Sequence, residues 1–102
     1  MSQKYKSILA VISARKASRM DFLLKDKQIV VETKFASKNH SDKEIGTELI
    51  DDTARYKEHP DCQVLSCFIY DPERQMRNPR GFENDLSKNH DGLEVKVQVE
   101  PK

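Results

Sequence analysis

Long apolar runs, a feature of membrane-spanning and exported chains, are scarce in this sequence of 102 residues. The longest run, residues 8–12, is far shorter than the ~18–20 residues of a transmembrane helix. Basic residues Arg15, Lys16 and Arg19 follow it, where a signal peptide would carry small cleavage-site residues. These observations predict a cytoplasmic protein.

Cysteine and glycine are also rare, and their positions exclude several kinds of site. Cys62 and Cys67 are the only cysteines, and no second pair of ligands accompanies them, so the sequence does not indicate a zinc site. The three glycines form no phosphate-cradling loop. No Ser-His-Asp or Cys-His arrangement lies in suitable elements. Nucleophilic, zinc and nucleotide-loop chemistries therefore lack support.

Acidic residues are absent from residues 1–17, although charged residues make up 34% of the chain. Residues 1–40 carry nine Lys or Arg against three acids, and the remainder carries nine against fourteen. The net charge of +1 argues against simple polycation-like binding of nucleic acid. The asymmetry predicts positive potential near a phosphate-binding surface in the first half.

The spacing of apolar residues predicts one α/β domain over residues 1–102, with a mixed sheet and helices on its faces. Residues 7–13 fit either a strand or the end of a helix. Ser41 and Glu44 have capping-box spacing at the start of a helix reaching residue 58. The remaining predicted elements are a buried strand at 63–70, a short helix at 81–88 and an edge strand at 93–99.

Two short apolar segments, residues 18–24 and 29–34, flank the polar turn 25–28 and predict an antiparallel hairpin. A two-residue or a four-residue turn gives the same register, in which Asp21 lies opposite Glu32. Directly opposed side chains have Cβ atoms roughly 4.5–5.5 Å apart. The hairpin therefore predicts two carboxylates side by side.

Side chains alternate along a strand, so Lys34 shares the face of Glu32. Two facing carboxylates repel each other, and a divalent cation reverses that cost. The lysine could orient or activate water, or stabilise charge on a phosphoryl oxygen. The alternative is a solvated hairpin face in a highly charged chain. Apolar residues on both faces of the hairpin favour the site, because they imply a sheet covered on both sides. Leu23 and Val30 lie on the charged face, and the other face carries Phe22, Leu24, Ile29, Val31 and Phe35.

With these residues, residues 18–101 resemble the PD-(D/E)xK nuclease superfamily, and in particular restriction-endonuclease-like proteins of the DpnII/MboI kind. The segments that carry the resemblance are 19–24, 29–34, 42–46, 54–56, 59–62 and 70–73. The superfamily name places a proline before the first acid, where this chain has Met20. Its core normally opens with a helix that can supply another acid, which residues 1–17 do not contain.

The resemblance implies Asp21 and Glu32 as ligands of Mg²⁺, for which Mn²⁺ can substitute, and Lys34 as the catalytic lysine. It implies an endonuclease that hydrolyses DNA phosphodiester bonds, in restriction or phage defence; RNA stays open as a substrate. Arg19, Lys43 and Arg55 are the predicted nucleic-acid contacts. Small size favours a homodimer. The alternative function is a catalytically silent nuclease-like module that binds nucleic acid or a partner subunit.

Overall fold

A computed structural model describes residues 8–9, 19–60 and 62–102, and the side chains of residues 8, 9, 19–22 and 25 lie outside that description. The strands are β1 (Ile8–Leu9), β2 (Arg19–Leu24), β3 (Ile29–Phe35), β4 (Val64–Tyr70), β5 (Asn89–His90) and β6 (Leu93–Glu100). The helices are α1 (Asp42–Lys57) and α2 (Pro79–Leu86), and a 3-10 turn occupies Lys25–Lys27. Neither helix is both long and apolar enough to cross a membrane.

The strands form one mixed sheet in the order β1-β2-β3-β4-β6-β5. The first three strands are antiparallel neighbours, whereas β3, β4 and β6 run parallel to one another. Helix α1 is therefore the crossover between β3 and β4, because parallel neighbours cannot be joined by a tight turn. The predicted α/β class with a mixed sheet is confirmed.

The element boundaries agree closely with the sequence patterns. Glu44 accepts a hydrogen bond from the Ser41 backbone N–H at 3.0 Å, as the capping box predicts. Helix α2 begins two residues earlier than predicted, because Pro79 fits the first turn and the Asn78 side chain accepts the Gly81 N–H. Within the ambiguous segment 7–13, residues 8–9 form a strand, and the rest lies outside the described residues.

One face of the sheet carries the core. Alternate residues of β3, β4 and β6 are buried on this face, and their registers align them in rows across the strands. Ile45 and Leu49 of α1 pack onto these rows, and Phe82 and Leu86 of α2 pack against the same cluster. The buried sheet residues are Leu23, Val30, Glu32, Lys34, Leu65, Cys67, Ile69, Leu93, Val95, Val97 and Val99.

The cover expected on both sides of the sheet is not found in the described part of the chain. Both described helices lie on the core face. On the other face, Phe35 and Tyr70 are 43% and 44% exposed, with their rings in edge-to-face contact at 5.9 Å between centroids. Phe68, in the middle of β4 on this face, is partly buried.

Strand β6 lies next to one end of the sheet, and the strand on its outer side, β5, is two residues long. Helix α2 satisfies further amides along this side. The Glu83 carboxylate accepts the Val99 N–H at 2.7 Å, and the Ser87 hydroxyl accepts the Val97 N–H at 2.9 Å. These bonds protect a near-edge strand from pairing with another chain.

Candidate active site

The hairpin of β2 and β3 has the register predicted from the sequence. Asp21 pairs with Glu32, Leu23 with Val30, and Arg19 with Lys34. Gln28 takes a positive φ of 57° where the turn enters β3. The backbone thus brings Asp21 opposite Glu32, although the side chains of Asp21 and Arg19 lie outside the description.

Glu32 and Lys34 lie side by side on the core face of β3 and are almost completely buried, at 0% and 1% exposed. The Lys34 ammonium lies 3.8 Å from Glu32 Oε1. Carboxylates and ammonium groups are rarely buried unless they are paired, because removal from water disfavours the charged form. The pairing partners come from helix α1.

Asp52 of α1, 2% exposed, connects the charged groups of the cluster. Its Oδ2 accepts a hydrogen bond from Lys34 Nζ at 2.9 Å, and its Oδ1 accepts one from Arg55 Nη2 at 2.8 Å. Arg55 also lies 3.9 Å from Glu32 Oε2 and stacks over the Tyr56 ring at 4.9 Å. Glu32, Lys34, Asp52 and Arg55 therefore alternate in charge, and Arg55 forms the outer side at 49% exposed.

The protonation state of Lys34 follows from these neighbours. Burial alone lowers the pKa of Lys34, whereas the Glu32 carboxylate and the hydrogen bond that Lys34 donates to Asp52 raise it, and the resulting pKa lies above the ordinary 10.5. Lys34 is therefore an ammonium at neutral pH. It can donate hydrogen bonds and neutralise charge, but it has no lone pair with which to accept a proton.

A second carboxylate of α1, Glu48, also contacts the ammonium. Glu48 Oε1 lies 3.3 Å from Lys34 Nζ, and its other oxygen lies 3.0 Å from His40 Nε2. Both Glu48 and His40 are partly exposed. The polar cluster thus extends from the buried lysine towards the protein surface.

The three predicted nucleic-acid contacts fall in different places. The structure brings Arg55 into the cluster, and it sets the Arg19 backbone opposite Lys34. Lys43 is exposed near the start of α1, nine positions before Asp52, and among the described residues its side chain makes no hydrogen bond or ion pair with the cluster. The structure therefore supports a location near the site for Arg55 and not for Lys43.

Sequence reasoning missed Asp52, Glu48 and His40 as members of the cluster. Asp52 occupies the buried position of α1 between Leu49 and Tyr56, where a pattern of apolar residues indicates no core contact. Its spacing, three residues after Leu49 and four before Tyr56, is that of a helix face turned to the core. An acid at such a position was the available signal.

The donor chemistry of the site fits a hard divalent cation. Mg²⁺ prefers carboxylate oxygens and usually takes only one or two from the protein. Glu32 would supply one, and the register sets the Asp21 backbone opposite it, where Asp21 would supply another. Among the side chains that the structure describes, no three His, Cys, Asp or Glu groups are close enough to hold a metal. The assignment of Asp21 and Glu32 as metal ligands therefore stays a prediction.

Comparison with known proteins gives the family of the chain. The family model REase_DpnII-MboI matches residues 9–102, nearly the whole sequence. No curated protein matches the chain, and no solved structure does. The family match confirms the resemblance carried by the hairpin and the segments after it. The chain belongs to the DpnII/MboI family of restriction endonucleases, enzymes that cleave DNA.

Proposed function

We propose that this protein hydrolyses DNA phosphodiester bonds with Mg²⁺, and that Asp21, Glu32 and Lys34 form its active site in restriction or phage defence. The observation that carries the proposal is the buried Glu32–Lys34 pair, 3.8 Å apart, in register with Asp21. Folding alone does not require charges at these positions, because apolar residues of similar volume are often as stabilising. Membership of a restriction-endonuclease family supports the same chemistry.

Asp21 and Glu32 would hold the metal ion through their carboxylate oxygens. Mg²⁺ supplies charge neutralisation at the phosphate and lowers the pKa of water. Glu32 is fixed for this task, because Lys34 and Arg55 lie 3.8 and 3.9 Å from its two oxygens. The restriction-endonuclease family generally uses divalent metals, which supports the assignment.

Lys34 acts as a fixed positive charge in this proposal. Because its raised pKa keeps it protonated, it orients the attacking water and stabilises the negative charge that develops on the phosphoryl oxygens. It does not remove a proton from water. Asp52 positions the ammonium by accepting one of its hydrogen bonds.

Arg55 is the best-placed described contact for a DNA phosphate. Its guanidinium is half exposed, and its stacking on Tyr56 limits its motion. Arginine donates hydrogen bonds in a planar fork that suits phosphate oxygens. Arg19, opposite Lys34 in the hairpin, is proposed as a second contact, and Lys43 as a peripheral one.

Two further proposals concern assembly and compartment. A homodimer would bring two sites to the two strands of a duplex, since one chain carries one site. The cytoplasm is the proposed compartment, and Cys62 and Cys67 form no disulfide, as a reducing environment requires.

Cleavage of supercoiled and linear DNA by the purified protein tests the proposal. With Mg²⁺ or Mn²⁺ we expect nicked or linear products, and with EDTA none. Glu32→Ala and the isosteric Glu32→Gln should both abolish cleavage, whereas Glu94→Ala, which removes an exposed carboxylate of β6, should leave it unchanged. Equal cleavage by wild type and both Glu32 variants would exclude this mechanism.

The second candidate is a nuclease-like module that binds DNA without cutting it. The near-complete burial of Glu32 and Lys34 beneath α1 favours it, because a catalytic site needs access for the phosphate. The cleavage assay separates the two functions when DNA binding is measured in parallel. Metal-independent binding with no products in either metal would establish the binding module, and a homologous RNA strand in the same assay decides the sugar preference.

A further inference from the structure

A polar chain leads from the buried lysine to the protein surface through Glu48 and His40. One oxygen of Glu48 lies 3.3 Å from Lys34 Nζ, and the other lies 3.0 Å from His40 Nε2. Lys34 is 1% exposed, whereas Glu48 and His40 are 26% and 28% exposed. Glu48 therefore shares its carboxylate between a buried cation and a residue that solvent reaches.

The backbone holds each member of this chain in place. His40 closes a tight turn with Ser37, in which each residue donates its N–H to the other's carbonyl, at 2.8 and 3.1 Å. Ser41 follows directly and begins α1 with its N–H bonded to Glu44. Glu48 lies one helical turn before Asp52, so both carboxylates approach Lys34 from the same face of α1.

The geometry of an ammonium gives this arrangement a consequence. A lysine ammonium has three donors in tetrahedral directions and rotates about its Cε–Nζ bond, and each hydrogen bond that it donates opposes this rotation. Asp52 and Glu48 accept two of the three hydrogen bonds of Lys34, at 2.9 and 3.3 Å. With two of its donors held, the third N–H is held as well, and the Glu32 carboxylate lies 3.8 Å from the same nitrogen.

We propose that Glu48, itself held by His40, is a positioning residue that together with Asp52 fixes the third N–H of Lys34. The assignment of a phosphate or water to this N–H rests on the proposed nuclease function, whereas the fixing of the ammonium does not. Glu48 contacts Lys34 and not the reacting atoms. Glu48 orients the Lys34 ammonium, so loss of Glu48 should lower kcat while KM changes little.

The kinetic test compares kcat and KM for plasmid cleavage in Mg²⁺. Glu48→Ala is expected to lower kcat by about 10²-fold, the size of effect that follows from misplacing a catalytic group by about 1 Å, with KM nearly unchanged. His40→Ala should lower kcat by about tenfold. His40→Gln should recover most of that loss, because its amide can donate to Glu48 as the imidazole does. The matched control is Asp51→Ala, which removes an exposed carboxylate from the same helix.

A second measurement needs no activity. The ¹H–¹⁵N signal of the Lys34 ammonium, assigned by its loss in Lys34→Arg, reports exchange with water in the metal-free, DNA-free protein. We expect Glu48→Ala to accelerate this exchange by about tenfold, because one of the two fixing bonds that slow it is lost. Asp51→Ala should leave exchange unchanged.

The two measurements together decide the proposal. A Lys34 signal as persistent in Glu48→Ala as in wild type would overturn it, whether or not the protein cuts DNA. If the wild type cuts no DNA but Glu48→Ala still accelerates exchange, the positioning proposal stands and the nuclease proposal fails. Equal loss of kcat in His40→Ala and His40→Gln would show that His40 does not act by donating a hydrogen bond to Glu48.

Discussion

The two faces of β3 reverse the usual relation between polarity and burial. Glu32 and Lys34 are almost inaccessible on one face, while Phe35, on the other, is 43% exposed. Most globular proteins bury phenylalanine and expose glutamate and lysine. Burying charges opposes folding unless they are paired, and Asp52 and Arg55 supply the pairing here. Stability alone therefore does not account for the charged face, which agrees with the proposed active site.

The strongest predicted effect is on activity, and it compares substitutions at neighbouring residues on the two faces of β3. Lys34→Met should lower the cleavage rate by about 10²- to 10³-fold, the effect of removing one preorganised donor to a developing oxyanion. Thr33→Val alters the adjacent residue on the other face and should change the rate less than about threefold. Initial rates of plasmid nicking measure both, and similar rates for the two variants would contradict the assignment.

The next effect concerns stability. Asp52→Ala should lower the free energy of unfolding by about 3 kcal/mol, because it leaves the buried Lys34 ammonium without its shortest hydrogen bond. Asp51→Ala, an exposed neighbour on α1, should change it by less than about 0.5 kcal/mol. Denaturant unfolding of the metal-free protein gives both values. If the two variants were equally stable, the ion pair would not stabilise the fold.

Unfolding measured over a range of pH separates the contribution of Lys34 from that of the other charged groups. A pKa raised in the folded state stabilises the protein fully below the unfolded value, and that stabilisation is lost as pH rises through the folded value. For Lys34 the loss should therefore begin only above about pH 10.5. The difference in unfolding free energy between wild type and Lys34→Met should stay constant from neutral pH to that point, then shift against the wild type. A difference that already changes near neutrality would show that Lys34 titrates lower.

The smallest effect on stability is expected on the face of β3 that carries Phe35. Phe35→Thr should change the free energy of unfolding by about 0.5 kcal/mol, because the ring is largely exposed and a strand tolerates threonine well. Val30→Ala, on the buried face of the same strand, should cost about 2 kcal/mol. Thermal and denaturant unfolding of both variants tests this contrast. A larger loss in Phe35→Thr than in Val30→Ala would reverse it.

The hairpin and the first turn of α1 could be predicted from the sequence because local rules fix them. Both plausible turn lengths place Asp21 opposite Glu32, so the register needed no tertiary information. The Ser41–Glu44 spacing likewise identifies the start of α1. In each case neighbouring residues along the chain determine the outcome.

The burial of Asp52 and the exposure of Phe35 and Tyr70 on the other face of the sheet could not be predicted in the same way. Patterns of apolar residues assign an acid to the solvent side of a helix, so they could not place Asp52 on the buried face of α1. These patterns also do not predict how deeply the second face of a strand is buried. Phe68 in β4, for example, is only partly buried. Both outcomes depend on tertiary packing.

The connection of β3 to α1 also bears on how chains of this kind can change in length. Every described member of the charged cluster, from Glu32 to Arg55, lies within one strand–helix unit. The loops after β4 and after α2 contribute no residue to the described cluster. Insertions in these two loops can therefore lengthen the protein and alter its surface while the spacing of Glu32, Lys34 and Asp52 is inherited unchanged.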